Sequence, residues 1–413
     1  MRRFYIHTMG CKANQFEGAV IVENLIKNGL EQVDDVAAAD IFVLNSCTVT
    51  HKSDNEAFYH LRSAKNKNPE IVNILTGCIA QVEAEKLLEN EFIDYVLGND
   101  EKLNIIEILR CAQNDRGCFV GVLKDEFQKV WLSDTNKTRA SLKIQDGCDN
   151  RCSYCIIPFA RGKSRSARVN DILEQIENFV QKGFKEVVLT GIHIGQWGVN
   201  EKGGLLDLLK AVERTKIPRY RLGSLNPLEI TDEMLEFLSA SEKFCPHFHL
   251  SLQSACNKTL QAMNRHYKVE DYLALIERIN RMFALPFIGS DIIVGFAGET
   301  DEDFEITRQN LERAGLSQIH VFPYSLRKGT AGALMENQVP DSMKEQRAKI
   351  IREISAKKHK EFVEKNIGTT QEVLVEKNPK KGITRNYLTI KLTDDFPPNS
   401  LQFIEILRAL PSE

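Results

Sequence analysis

Apolar and polar positions alternate in blocks along the first third of the chain. RRFYIHT, DIFVLNS and EIVNILT are short runs rich in β-branched and aromatic residues. Each precedes a segment with apolar residues three or four apart: NQFEGAVIVENLIKNG, KSDNEAFYHLRSAKNKN and AQVEAEKLLENE. Gly29 is a stop signal for the first of these helices. DYVLGND and RGCFVGVL predict further strands. Such alternation predicts a parallel, doubly wound α/β sheet over residues 1–133. The polar stretch SDTNKTRA, Ser133 to Ala140, marks the boundary.

A second alternating series follows over residues 134–366. SLKIQ, KEVVLTG, RYRLGSL, HFHLSLQ, SDIIVGF and SQIHVFPY predict strands with helices between them. NDILEQIENFVQKG predicts a helix opened by Asn170 or Asp171 and closed by Gly183. Six such units are too few to close the eight-stranded barrel, so a partial (β/α)6 barrel is expected. Its open side suits a macromolecular substrate. From Asp341 to Asn366 the pattern is one long charged helix. QEVLVEK, YLTIKL and LQFIEIL then predict a small all-β module over residues 367–413.

Composition narrows the class. No apolar run is long enough to cross a bilayer, and MRRFYIHTMGCK has no apolar signal region after its basic residues. The expectation is a cytoplasmic protein with no membrane partner. A net charge of −3 excludes a uniformly basic nucleic-acid binder. Local clusters remain. Between Lys137 and Arg168, eight basic residues face only Asp146 and Asp149, a local charge of +6. Arg161, Lys163, Arg165 and Arg168 are expected to meet phosphates there. In the tail, Lys380, Lys381 and Arg385 accompany Tyr387, a combination suited to looped RNA.

The ten cysteines, in a reducing compartment, point to metal or catalysis rather than disulfides. GCDNRCSYC places Cys148, Cys152 and Cys155 just after the first strand of the second series. Two readings are open. One is zinc with its fourth ligand elsewhere, His193 or His249. The other is an iron–sulfur cubane with one iron free for an exogenous ligand. Cys11, Cys47 and Cys78 each follow one of the first three strands. In a parallel sheet those ends share one edge, so the three can converge. Three packed apolar thiols are the alternative. The polar contexts MGCKAN, NSCTVT and TGCIAQ favour a second three-cysteine cluster. Cys111, Cys118, Cys245 and Cys256 have no motif and are expected to be structural.

The spacing Cys148-x-x-x-Cys152-x-x-Cys155, with Tyr154 before the last, resembles the radical S-adenosylmethionine (SAM) signature. The resemblance implies a [4Fe-4S] cluster on Cys148, Cys152 and Cys155 whose open iron is chelated by SAM. It also implies SAM contacts at Tyr154, at Gly191 in LTGIHIG, and at Ser251 and Gln253 in SLQS. Gly295, Gly298 and Glu299 in IVGFAGET would lie beside the adenine. With the first three cysteines included, essentially the whole chain resembles the radical SAM methylthiotransferases. That family joins an N-terminal domain holding a second [4Fe-4S] cluster, a radical SAM domain and a small C-terminal barrel called TRAM.

GCKANQFE, NSCTVTHKSD and DIIVGFAGETDEDF most resemble the branch acting on N6-threonylcarbamoyladenosine in tRNA. The isopentenyladenosine branch has GCQMN at the first cysteine, and the ribosomal-protein branch has GCPKN. Ala167, Ala255 and the short last module depart from the family pattern. The implied activity adds a methylthio group to carbon 2 of that nucleoside at position 37. The implied partners are the tRNA anticodon stem-loop, a reducing donor such as flavodoxin or ferredoxin, and a sulfur source. The alternatives are methylthiolation of another target, an isopentenyladenosine tRNA or a ribosomal protein, and a zinc-stabilised RNA-binding protein without catalysis.

Overall fold

The computed structural model describes residues 2–111, 116–133, 137–198 and 203–407, with the side chain of Cys111 outside them. Among the described residues, no helix is long and apolar enough to cross a membrane.

The first sheet has six parallel strands in the order Glu31–Gln32, Arg3–Thr8, Ile41–Ser46, Val72–Gly77, Tyr95–Leu97, Gly117–Phe119. Alternate residues of each strand point to opposite faces. Phe42, Leu44 and Leu75 pack with Ala57, Leu61 and Ile79 on one face. Ile41, Val43 and Ile74 pack with Ile21, Leu25 and Ile105 on the other. Helices therefore cover both faces, as a doubly wound sheet requires. The strand order reverses between Arg3–Thr8 and Ile41–Ser46. Such a switch point opens a crevice beyond the carboxyl ends of the strands.

The second series forms an open arc of parallel strands. Ala140–Lys143, Glu186–Thr190 and Arg219–Leu222 make one run. The chain then crosses Gly223 into Ser224–Leu225, which pairs with His247–Gln253, Phe287–Val294 and Gln318–Pro323. The helix Val169–Gln181 buries Ile172, Ile176 and Phe179 against this arc. Its N-cap is Arg168, two positions before Asn170, and Asp171 sits in its first turn. The long helix spans Asp341–Asn366. It is pinned to the last strand by Ser355, whose Oγ accepts from Ile319 N at 2.9 Å and donates to Ile319 O at 2.8 Å.

The tail is a four-stranded antiparallel sheet, in the order Thr389–Lys391, Lys381–Thr384, Thr370–Val375, Leu401–Glu405. It docks on the arc through Arg219 and Arg221, which donate to the carbonyls of Ile383 at 3.2 Å and Arg385 at 3.0 Å. Both arginines are buried on Glu186.

Candidate active site

The loop carrying Cys148 needs glycine at its start. Gly147 has φ +71°, and a Cβ there would lie 1.9 Å from the carbonyl oxygen of Lys163. Cys148 Sγ lies 3.4 Å from His193 Nδ1, and His193 pairs through Nε2 with Glu229. Burial disfavours the charged imidazole, but hydrogen bonds to Cys148 and Glu229 outweigh it and push the pKa up to about 9. Arg265 donates from Nη1 to Cys152 Sγ at 3.5 Å and from Nη2 to the Ser251 carbonyl at 2.9 Å. Burial, with the nearby Cys152 and Cys148, pushes the Cys155 thiol up to about 12. Tyr154 packs beside Met263, Phe296 and Tyr324.

The other residues expected at SAM divide. Gly191 lines the cavity at the strand ends, and a Cβ there would sit 2.7 Å from the Gln145 carbonyl. Ser251 and Gln253 are half-buried at the end of their strand, with Gln253 at φ +72° beside a register shift. Gly295 donates its N–H to Glu299 at 2.8 Å, and Glu299 pairs with Arg347 of the long helix at 2.7 Å. That carboxylate is committed to holding the helix. Gly298 has φ +81° with open space around it.

The first-domain cysteines converge on the carboxyl edge of their sheet. Cys11 precedes the helix Lys12–Lys27, and Cys78 opens the helix Cys78–Leu87. A Cβ on Gly10 would meet Cys47 Sγ at 2.9 Å, which packs the Cys11 turn over Cys47. Burial pushes the Cys47 thiol up to about 12, with further contributions from Cys78 and Cys11, while Arg161 draws it down. These are surroundings in which thiolate needs a cation or a metal centre.

The donor sets bear on what each trio holds. A single zinc ion draws its sulfur ligands to within about 4 Å of one another. Among the described residues, only His7, Glu56 and His60 bring three ligand atoms within 4.8 Å. Neither cysteine trio is that tight, and His249 is occupied elsewhere, 2.5 Å from Ser224 Oγ and 3.1 Å from Asp291 Oδ1. Three thiols without a fourth cysteine are the donor set of a cubane with one iron left open. Cys245 and Cys256 are buried as expected of structural thiols, whereas Cys118 is exposed on an edge strand.

The basic stretch is corrected in part. Arg161 is fully buried, bonding Glu17 Oε1 at 2.6 Å, Asn14 Oδ1 at 2.9 Å and Asp146 Oδ1 at 3.3 Å. Arg165 is also buried, 3.3 Å from Asp146. Lys143 and Lys102 complete the network on Glu17, at 2.6 and 2.5 Å. Neither Arg161 nor Arg165 is open to a phosphate, because the burial that joins the first sheet to the arc consumes them. Lys163 and Arg168 remain exposed. In the tail, Lys380 is exposed and pairs with Asp395, Lys381 is half-buried, and Arg385 donates to the Phe244 carbonyl at 2.6 Å.

All three parts meet in one cavity of about 890 Å³. Cys11 and Lys12 come from the first domain. Gly191, Ser224, His249 and Asp291 come from the strand ends of the arc, and Lys381 and Tyr387 from the tail. A second clasp holds the Cys47 segment in place: Arg327, beyond the last strand, bonds Asp54 at 2.6 Å and Thr48 at 2.5 Å.

The comparisons agree with this assembly. Residues 3–98 match the family described as "Uncharacterized protein family UPF0004", and residues 142–311 match the radical SAM superfamily. Threonylcarbamoyladenosine tRNA methylthiotransferase MtaB of Aquifex aeolicus is 38% identical over 392 residues, 93% of this chain and 95% of that protein. A tRNA-2-methylthio-N(6)-dimethylallyladenosine synthase of a Wolbachia species is 34% identical over 94% of this chain and 90% of its own. In fold, the chain resembles the radical SAM methyltransferase TsrM of Kitasatospora setae, with a TM-score of 0.59 at 13% identity, over 81% of this chain and 75% of that one. With both family models matched and relatives aligned nearly end to end, this chain belongs to the tRNA methylthiotransferase family of radical SAM enzymes.

Proposed function

We propose that this enzyme adds a methylthio group to carbon 2 of N6-threonylcarbamoyladenosine at position 37 of tRNA. The observation that carries the reading is the shared cavity, into which Cys11 and the strand ends of the radical SAM arc both open. The ligand sets are part of the same proposal. Cys148, Cys152 and Cys155 hold the [4Fe-4S] cluster that binds SAM, and Cys11, Cys47 and Cys78 hold the second. When bound, these groups supply a carbon-centred radical able to take hydrogen from an unactivated aromatic carbon, together with a methylated sulfur for transfer.

The chain's own residues position and insulate this chemistry. His193 and Arg265 direct hydrogen bonds at Cys148 and Cys152 and so orient the two sulfurs. Tyr154 and the apolar group around it cover the cluster loop. Gly191, Ser251 and Gln253 stand at the strand ends where SAM is expected. The Glu17–Arg161 network fixes the first domain over the arc and so holds Cys11 at the cavity lined by the strand ends. Lys163 and Arg168 receive the phosphates of the anticodon stem-loop, with Lys380 and Lys381 at the tail. A low-potential flavodoxin or ferredoxin and a separate sulfur source complete the reaction in the cytoplasm.

Nucleoside mass spectrometry tests the proposal. tRNA from a deletion strain is expected to lose the 2-methylthio form of threonylcarbamoyladenosine and to regain it with the wild-type gene. Retention of that nucleoside in the deletion strain would overturn the substrate.

A further inference from the structure

One face of the cavity carries more positive charge than the protein neutralises. The Tyr387 ring is ringed by cations: Arg221 at 4.9 Å from its centroid, Arg139 at 5.5 Å and Lys12 at 5.8 Å. The backbone at Tyr387 has φ +72°, and its N–H is tied to Thr384 O at 3.1 Å, so the ring is a fixed platform. Arg221 is spent on Glu186 and on the tail carbonyls. Arg139 hydrogen-bonds the Tyr387 side chain and reaches Glu376 only at 3.7 Å. Lys12 makes no salt bridge and no side-chain hydrogen bond among the described residues, and Glu186, already paired with Arg219 and Arg221, acts on it only at a distance. A half-buried ammonium without a counter-ion is costly unless an anion arrives.

We propose that Lys12 and Arg139, braced on Tyr387, form an anion subsite that takes the carboxylate of the threonylcarbamoyl arm. The inference rests on the substrate proposed above. That arm ends in a carboxylate, whereas an isopentenyl arm is neutral and apolar and offers these cations nothing. Lys12 directly follows Cys11, so the subsite adjoins the cysteine edge where carbon 2 must be presented. The arm hangs from the exocyclic nitrogen of the same base, so its carboxylate and carbon 2 are presented together. A tRNA phosphate is the other source of the same charge, and the test separates the two.

Reconstituted holoenzyme is offered three anticodon stem-loops: one with threonylcarbamoyladenosine, one with its carboxylate as the methyl ester, and one with unmodified adenosine. Lys12→Met is expected to weaken binding of the first about ten- to hundredfold, the range for a lost charge-assisted hydrogen bond, and to leave the other two unchanged. Equal weakening of all three would assign Lys12 to a phosphate and overturn the proposal, as would no change on any. Iron and sulfide are measured in parallel. If Lys12→Met loses a cluster, Arg139→Gln, remote from the cysteines in sequence, is held to the same criterion. Failure of wild type to methylthiolate the first stem-loop would refute the substrate itself. Wild-type turnover with no loss in either variant would refute the subsite alone.

Discussion

The two cysteine trios are built in opposite ways. Cys148, Cys152 and Cys155 lie within eight residues of one another, on a loop shaped by Gly147. Cys11, Cys47 and Cys78 are spread over 68 positions and meet only because three parallel strands end on one edge. The first trio is a local motif and the second is a product of topology. The local trio survives anything that leaves its loop intact. The dispersed trio depends on the sheet, the Glu17 network and the Arg327 clasp together.

The largest expected effect tests whether the trios are independent. Alanine at Cys148, Cys152 and Cys155 should lower bound iron from about eight to about four per chain and abolish 5′-deoxyadenosine formation. Alanine at Cys11, Cys47 and Cys78 should lose the same amount of iron, yet keep 5′-deoxyadenosine formation while ending methylthio transfer. Iron and sulfide assays with product analysis decide it. Zinc without iron would end the enzyme reading.

A smaller effect probes the dependence on packing. Arg161→Met leaves Glu17 and Asp146 short of a buried partner and should cost about 3–5 kcal/mol in thermal unfolding. Loss of iron should then come first from the dispersed trio, read as retained 5′-deoxyadenosine formation with falling methylthio transfer. Equal loss from both trios would erase the distinction drawn above. The smallest effect is at the surface. Lys163→Ala and Arg168→Ala should each reduce the slope of log binding against log salt by about 1, without altering stability.

Much of this was legible in the chain, for identifiable reasons. The main strands stood out because runs such as IFVLNS and EVVLT are apolar on both faces, as buried parallel strands are. The strand Lys381–Thr384 escaped because KGIT has too few apolar residues to register. Arg161 reads as part of a surface footprint because its acidic partner Glu17 lies 144 residues away, inside an ordinary amphipathic helix. Arg265 and Glu229 had no motif around them, and only the fold brings them to Cys152 and His193. Local spacing exposes local chemistry. Partners gathered by topology stay hidden until the strands are placed.

The chamber wall supplied by Tyr387 has a temporal meaning. A ribosome has made all six cysteines proposed to hold the clusters more than two hundred residues before it reaches that tyrosine. A nascent chain can thus acquire every proposed metal ligand while its chamber still lacks a side. Reactive capacity and substrate enclosure are assembled in that order, so a chain interrupted in between holds the means of making a radical without the wall that confines it.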